Sequence, residues 1–180
     1  PTGYHVTPLE NFTFDILNSV IQQTNTDLYV APNGDNSNDG LTPEYPLKTI
    51  RHATNIILSD STHPNTIFLA NGIYSFSSNE ESFPIEVLDF ISIIGESETG
   101  VILNAEELSS GVVLLKNINF STLSNFTITG GEYYGGITFE NSYGLLENVT
   151  VTGNSGSEGG GIIMVESNPI IQNVTISNNT

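Results

Sequence analysis

Cysteine is absent from the 180 residues of this chain. That absence excludes disulfide bonds, thiolate chemistry and zinc sites built on cysteine. It is compatible with a bacterial surface protein as well as with a cytosolic one. Stability must come from a buried apolar core instead, and a single domain with 37% hydrophobic residues can build one.

Basic residues are almost as scarce as cysteine. Lys48, Arg51 and Lys116 stand against 20 acidic residues, and the formal net charge is −17. Nucleic acid is excluded as a partner, because neutralising its phosphates needs clustered Lys and Arg. The same charge repels an acidic polysaccharide unless cations bridge the two, whereas a neutral glycan meets no such penalty.

Long apolar runs are missing as well. No stretch of the sequence approaches the ~20 apolar residues that a membrane-spanning helix needs, so we expect no membrane span. The chain starts with Pro1, and no charged-then-apolar leader precedes it, so we expect that any export signal has been removed or left out.

What the sequence does contain is a repeat. Segments starting at Asn125, Asn148 and Asn173 read Asn-Phe-Thr-Ile-Thr, Asn-Val-Thr-Val-Thr and Asn-Val-Thr-Ile-Ser, with spacings of 23 and 25 residues. Such a period is typical of a solenoid, in which strands too short to enclose a core alone stack at the ~4.8 Å spacing of parallel ladders. The sequence predicts an all-β fold: a right-handed parallel β-helix of 23–25 residues per coil with an N-terminal α-helical cap.

Alignment on the repeated asparagine predicts which side chains stack. In the last two coils the predicted pairs are Ile137 with Ile162, Phe139 with Met164, Ser142 with Ser167 and Asn154 with Asn179. Going backward, the same frame pairs Leu114 with Ile137 and Leu123 with Leu146, and it places Lys116 in the column of Phe139 and Met164.

The repeated asparagine also heads an Asn-x-Thr sequon, as do Asn11, Asn119 (with Ser121) and Asn178. One interpretation is N-glycosylation. The other is structural: asparagine tolerates left-handed backbone angles at a corner, and its amide can bond to the equivalent amide one coil away. The regular spacing favours such an asparagine ladder.

A glycine-rich stretch, residues 153–161, separates two predicted strands. A phosphate-binding loop would be followed directly by a helix, but Ile162-Ile163-Met164-Val165 reads as a strand. We therefore predict a loop that varies in length between coils.

The N-terminal third predicts a strand at 28–30, a turn-rich loop at 32–40 and a helix at 46–59. An apolar stripe along that helix suits a cap, which an open solenoid end requires because it exposes apolar layers and strand edges. A further short element at 12–21 fits either a strand or a helix. We predict an N-terminal segment and capping helix at 1–65 and coils at 66–180, about five of them, in one structural domain whose further coils follow in a longer parent.

The string LYVAPNGDNSNDGLTPEYPLKTIRHA (28–53) resembles the opening of secreted pectate-lyase-like right-handed β-helices. TIFLANGIY (66–74), FPI (83–85) and ISIIGE (91–96) extend the resemblance over residues 27 to about 105. It implies the β-helix architecture; activity differs widely among proteins that share it. The later coils resemble repeats of bacterial surface β-helices.

Resemblance to the lyases also implies calcium bound by carboxylates and a Lys or Arg base. Lys48 and Arg51 belong to the predicted cap, which leaves Lys116 as the only basic residue in the coils. An active base needs a perturbing partner that the sequence does not reveal, so the catalytic residues stay unknown.

Candidate ligand-binding residues are Tyr133 and Tyr134, adjacent tyrosines in a glycine-flanked loop, because exposed neighbouring aromatics favour a binding role. Glu140 and Glu166, with Glu147, are outward carboxylates on adjacent coils; solvated faces are the alternative. For Phe120 and Tyr143 we predict an ordinary corner stack.

Asp35 and Asp39 lie in a loop with the oxygen density of a calcium site. Pro46 stands where an EF-hand loop has its bidentate Glu, so the choice is between another kind of Ca²⁺ site and Asx turns. His5, His52 and His63 are too scattered to form a metal site or a triad.

These observations predict the N-terminal part of a secreted or cell-surface bacterial β-helix protein that acts as a scaffold or a glycan-recognition module and is non-catalytic as this piece. One alternative is a polysaccharide lyase or glycoside hydrolase whose active face lies in later coils. Another is an adhesin-type protein-interaction module. We also expect self-association through the exposed C-terminal edge of the coils.

Overall fold

The structure is a computed structural model that describes residues 23–108 and 111–180. Strands dominate it. They are β1 (Leu28–Val30), β2 (Asn65–Leu69), β3 (Gly72–Tyr74), β4 (Ile85–Glu86), β5 (Ile91–Gly95), β6 (Val101–Asn104), β7 (Val113–Lys116), β8 (Thr122–Thr129), β9 (Ile137–Glu140), β10 (Leu145–Thr152), β11 (Ile162–Val165), β12 (Ile170–Gln172) and β13 (Thr175–Ser177). Two helices accompany them, α1 (Ile50–Ile56) and α2 (Phe76–Asn79).

The strands form two parallel sheets. The long sheet runs β1-β2-β5-β8-β10-β12, with β3, β6 and β13 alongside, and the short sheet runs β4-β7-β9-β11. Strands adjacent in a sheet are far apart in sequence, and this is the topology of a parallel β-helix. The predicted fold class, a parallel β-helix, is confirmed.

Rung-to-rung offsets in the long sheet are close to the predicted period. Ile67 pairs with Ile93, Ile93 with Leu123, Leu123 with Leu146 and Leu146 with Ile171, offsets of 26, 30, 23 and 25 residues. From β2 to β12 the described chain completes four turns, against about five predicted coils, and the longest offset is the 30 residues between β5 and β8.

The core lies between the sheets and is built from columns of like residues. Ile67, Ile93, Leu123 and Leu146 are each at most 2% exposed and stack in register. No single turn could bury this surface, so each turn depends on its neighbours for stability.

Helix α1 caps the N-terminal end of this core, as predicted, with Ile50 and Ala53 fully buried. The predicted bounds of 46–59 were wrong. Residues 46–49 are held outside the helix because the Asn36 side-chain oxygen accepts hydrogen bonds from the backbone N–H groups of Lys48 (2.9 Å) and Thr49 (3.1 Å). Thr49 is the N-cap, and its hydroxyl accepts from the backbone N–H of His52.

A buried carboxylate fastens α1 to the first turn. Glu81 is fully buried, and its side-chain oxygens accept hydrogen bonds from the backbone N–H of Ile50 (2.6 Å), Arg51 (3.1 Å) and Ser82 (3.2 Å). Burial raises the pKa of Glu81, while the three N–H donors work against that rise. The sequence analysis did not single out this residue.

The asparagine ladder is confirmed. Asn125, Asn148 and Asn173 have φ angles of +61°, +51° and +50°. The Asn148 amide donates to the Asn125 side-chain oxygen at 3.3 Å, and the Asn173 amide donates to that of Asn148 at the same distance. Corner geometry and amide stacking together account for the repeated sequons.

The backward extension of the predicted register was wrong in the short sheet. Leu114 pairs with Thr138, not with Ile137, and Lys116 pairs with Glu140, not with Phe139. The corner between β7 and β8 (117–121) has one residue more than the corner between β9 and β10 (141–144), so the two sheets differ in offset by one. The forward pairs Ile137–Ile162 and Phe139–Met164 are confirmed.

Two sequence predictions are not decided by these elements. The element at 12–21 lies outside the described residues. The boundary between 65 and 66 stays a proposal, although β1 already joins the long sheet through β2.

Candidate functional site

The outer face of the short sheet presents alternate residues of its strands. In β7 the residues Val113 and Leu115 enter the core, so Leu114 and Lys116 face outward. By register, Thr138 and Glu140 of β9 extend these two outward columns. Leu114 and Thr138 thus share one column, and Lys116 and Glu140 share the next.

A loop from the preceding corner covers part of this face. The Thr138 hydroxyl donates to the backbone carbonyl of Tyr134 at 3.1 Å, and Thr138 is only 5% exposed although it points away from the core. Tyr134 forms an antiparallel bridge with Gly156 in the next turn. The covering loop is therefore held both by the sheet below it and by the loop beside it.

Glycine is required where these loops touch. Gly135 has a φ of +65°, and a Cβ there would lie 2.5 Å from the carbonyl oxygens of Gly159 and Gly160. Only glycine allows the backbones of successive loops to approach so closely. The predicted loop at 153–161 is confirmed as such, and its glycines fix the position of the tyrosine loop.

Between loop and sheet lies a pocket of about 210 Å³, here called the short-sheet pocket. Its lining residues are Pro84, Gly111, Val113, Leu114, Tyr134, Thr138 and Glu140. An aromatic ring and aliphatic groups make most of the wall, and a hydroxyl and a carboxylate supply polar groups. The pocket brings together two of the predicted ligand residues, Tyr134 and Glu140.

Glu140 is not a free carboxylate. Its Oε2 lies 2.6 Å from Nζ of Lys116, and the two side chains are 36% and 62% exposed. The hydrogen bond and the charge of Glu140 raise the pKa of Lys116. Lys116 is thus held as a cation, which is the wrong protonation state for a general base.

Every basic residue of the chain has such a partner. Lys48 pairs with Glu80 at 2.7 Å and Arg51 with Glu86 at 3.4 Å. These are exposed pairs of small energetic value, yet they show that the described residues offer no uncompensated cation for an acidic ligand.

The other predicted ligand residues lie elsewhere. Tyr133 is 72% exposed and lines a separate open depression with Glu132, Ser155 and Thr180. Glu166 follows β11 at a corner with φ of +49°, in the position that Asn117 and Asn141 occupy in the preceding turns. The rung neighbour of Glu140 in that turn is Val165, so Glu166 does not complete the short-sheet pocket. Glu147 lies in β10 on the long sheet.

Asp35 and Asp39 act as turn residues in the structure. Each accepts a hydrogen bond from the backbone N–H two residues later, Ser37 at 2.8 Å and Leu41 at 3.0 Å. The bond from Ser37 lowers the pKa of Asp35. Residues 23–108 and 111–180 contain no group of three or more His, Cys, Asp or Glu side chains arranged for a metal ion, and Ca²⁺ binding by this loop stays a prediction.

The sequence analysis missed a larger groove of about 340 Å³ on the outer face of the long sheet. Tyr29 and Phe68 line it as rung neighbours with ring centroids 5.4 Å apart, beside Pro43, Pro46 and Glu96. The signal was in the sequence: each ring sits between two core residues of a short strand, so it must point outward. The rings stack on each other, and the Glu96 carboxylate already accepts the backbone N–H of Asn71.

The predicted stack of Phe120 on Tyr143 was wrong. Phe120 stacks on Phe90, with ring centroids 5.3 Å apart and planes 14° from parallel. The longer corner that precedes β8 places Phe120 beside the earlier turn. Among the described residues, no helix is long and apolar enough to cross a bilayer.

Comparison with known proteins gives a family. The sequence profile described as "Protein of unknown function (DUF1565)" matches residues 32–180. The chain belongs to this family. No curated protein matches the DUF1565 chain.

Two solved structures resemble the DUF1565 chain at low identity. A GH136 lacto-N-biosidase from Eubacterium ramulus is 16% identical with a TM-score of 0.48. The match covers 84% of this chain and 33% of the lacto-N-biosidase chain. A rhamnogalacturonan lyase is 14% identical with a TM-score of 0.35. The match covers 72% of this chain and 38% of the lyase chain. The chain therefore spans between a third and two fifths of the length of these proteins.

Proposed function

We propose that this part of the protein is a non-catalytic carbohydrate-recognition module on a β-helix scaffold, and that the short-sheet pocket is its binding site. The observation that carries the proposal is the convergence of Tyr134, Thr138 and Glu140 on one pocket of about 210 Å³. Apolar and aromatic walls with a few fixed polar groups are the usual composition of a small-molecule site.

The size of the pocket limits what it accepts. Drug-sized ligands occupy pockets of about 300–1,000 Å³. At about 210 Å³, the short-sheet pocket suits a single sugar unit, with the rest of a glycan lying along the outer face of the sheet. Tyr134, 58% exposed, supplies the apolar surface for one face of that unit, and the Thr138 and Glu140 oxygens supply hydrogen-bond acceptors.

The state of Lys116 supports the non-catalytic part of the proposal as regards lyase chemistry. A lyase base has to be neutral to take a proton, and Lys116 is paired with Glu140 at 2.6 Å. A polysaccharide lyase or glycoside hydrolase with its active face in other turns of a longer protein remains the alternative that the resemblance to pectate-lyase-like β-helices supports.

The same resemblance supports our proposal that the protein is secreted or displayed on a bacterial surface, which cell fractionation with antibody detection would test.

The binding proposal is tested with a panel of neutral and acidic oligosaccharides, measured by calorimetry or on a glycan array. We expect a neutral ligand, and we expect Tyr134→Ala to weaken its binding about tenfold, as loss of a central aromatic contact does. Tyr45→Ala is the matched control, since Tyr45 is 65% exposed and lies outside the pocket. Tyr133→Ala separates the two adjacent tyrosines.

Other results would decide against the proposal. Binding that survives Tyr134→Ala but disappears with Tyr133→Ala would move the site to the open depression. An empty glycan panel together with binding to a partner protein would favour an adhesin-type module. New reducing ends or unsaturated uronates in the same incubations, with and without Ca²⁺, would make this piece an enzyme.

A further inference from the structure

The short-sheet pocket has one charged residue in its lining, Glu140, and the partner of that residue is the only basic side chain on the short sheet. Lys116 and Glu140 are rung neighbours on β7 and β9, so their side chains project from the same outward column. The 2.6 Å contact between them places a cation at the rim of the pocket and neutralises it there.

The other Lys and Arg side chains add no uncompensated positive charge to this region, although Arg51 reaches the short sheet through Glu86, the rung neighbour of Leu114. Arg51 is paired with Glu86 and Lys48 with Glu80, and 20 acidic residues outnumber three basic ones. An anionic ligand that approaches the pocket meets a neutral ion pair locally and a negative field from the whole protein.

We propose that Glu140 sets the charge specificity of the pocket: by holding Lys116 in an ion pair it makes the site accept neutral sugar units and reject uronates. The inference deepens the proposed function and rests on it. Lys116 is the cation that could bind a sugar carboxylate, and it lies two positions along β7 from Leu114 of the pocket wall. The neighbouring Glu140 side chain neutralises its charge.

Removal of that side chain's charge should therefore change the ligand class. In Glu140→Gln the Lys116 ammonium loses its ionic partner but keeps its place in the strand, because the backbone carbonyl of residue 140 still accepts from Asn117 and Ser142. A uronate carboxylate at the rim can then take the place of Glu140. Two unit charges about 4 Å apart in water attract enough to change an association constant about fivefold.

The experiment compares two disaccharides that differ only in oxidation at C6, α-1,4-galactobiose and α-1,4-digalacturonate, by calorimetry at low salt. For Glu140→Gln we expect a gain of about fivefold or more for digalacturonate over the unmodified protein, and no comparable gain for galactobiose. The gain should vanish in about 1 M salt, where charges are screened within ~3 Å. It should also vanish in the double variant Lys116→Gln with Glu140→Gln.

Glu80→Gln is the matched control. It raises the net charge by the same amount and frees Lys48, which is on no strand of the short sheet. Equal gains for Glu80→Gln and Glu140→Gln would show a general charge effect and overturn the inference. No gain for Glu140→Gln, with unchanged melting temperature, would overturn it as well.

Failure of the inference can be told from failure of the proposed function. If the unmodified protein binds a neutral glycan through Tyr134 and Glu140→Gln gains nothing for digalacturonate, only the charge specificity is wrong. If no glycan of the panel binds the unmodified protein and no variant gains binding, both are wrong.

Discussion

At the scale of single residues, asparagine determines how the coils turn. Asn125 and Asn148 lie inside β8 and β10, and Asn173 lies between β12 and β13, all with left-handed φ angles. The asparagine side chain tolerates the left-handed backbone angle that the corner needs. It also forms hydrogen bonds to the equivalent asparagines in the neighbouring coils. The amides of Asn148 and Asn173 are donors within the ladder, and turn chemistry accounts for the regular spacing of the sequons.

The central asparagine of the ladder gives the first prediction. Asn148→Ala removes an amide bonded on both sides and places alanine at φ +51°. We expect a loss of about 2 kcal/mol in unfolding free energy, the sum of two weak hydrogen bonds and the left-handed penalty. Asn148→Gly removes the bonds without the penalty and should lose about 1 kcal/mol.

Urea denaturation measures both variants, with Asn119→Ala as the control because Asn119 is exposed and has no place in the ladder. Equal losses for alanine and glycine would mean that the amide bonds matter and the backbone angle does not. An unchanged Asn148→Ala would show that the ladder contributes no stability.

At the scale of elements, the cap depends on one carboxylate. Helix α1 has only seven residues, too few to be stable alone, and Glu81 binds its first N–H groups from the following turn. Because the contact joins residues 31 apart in sequence, local helix signals could not reveal it. Pattern alone placed the helix start four residues too early for the same reason: the hydrogen bonds that the Asn36 oxygen accepts from the backbone N–H groups of Lys48 and Thr49 are tertiary contacts.

The pKa of Glu81 gives the second prediction. A carboxyl whose pKa is higher in the folded state than its ordinary value of 4.5 binds more protons folded than unfolded. Its contribution to stability is therefore full below the unfolded pKa and is lost as pH rises through the folded pKa. We expect the unfolding free energy of the unmodified protein, relative to Glu81→Gln, to decline as pH rises from about 4 to 8.

Denaturation of both proteins across that pH range measures the difference between their unfolding free energies. The repulsion among the many acidic side chains is common to both proteins and cancels in this difference. A difference that grows with pH would mean that the three N–H donors outweigh burial and that the pKa of Glu81 is lowered in the fold.

Element boundaries also explain which of the predicted site residues come together in the structure. Tyr134 and Glu140 were recognised from exposure and residue type, without knowledge that they share a pocket. Lys116 was assigned to an apolar column because the register of the last coils was extended backward across the corner 117–121, which is one residue longer than the corner 141–144. Correcting that single residue converts an isolated lysine into the partner of Glu140.

At the scale of the whole molecule, the last turn differs from those before it. Met164, Ile171 and Ile176 continue the core columns of Phe139, Leu146 and Val151, which are fully buried, yet they are 45%, 39% and 54% exposed. Among the described strands, β11, β12 and β13 each pair on one side only. Such an edge is a template for pairing with another chain.

We predict that the 180-residue chain self-associates through this end. We expect light scattering to show a mass that rises above the monomer with concentration, because pairing of edges buries the exposed core columns. Ile171→Lys, which points a charge into the open end, should reduce the effect, whereas Leu41→Lys, an exposed position in the N-terminal loop, should not. A strict monomer at millimolar concentration would contradict the prediction.

The sequence by itself determined the solenoid, its period, the corner asparagines and the presence of a cap. These features are local or recur in each coil. Because like residues stack on like from coil to coil, the repeated pattern can be recognised in the sequence. Only the tertiary structure decided the pocket, the Lys116–Glu140 pair and the Glu81 contact. They join residues from different turns, and which residues meet depends on the length of each corner, where one added residue shifts every partner on the next strand.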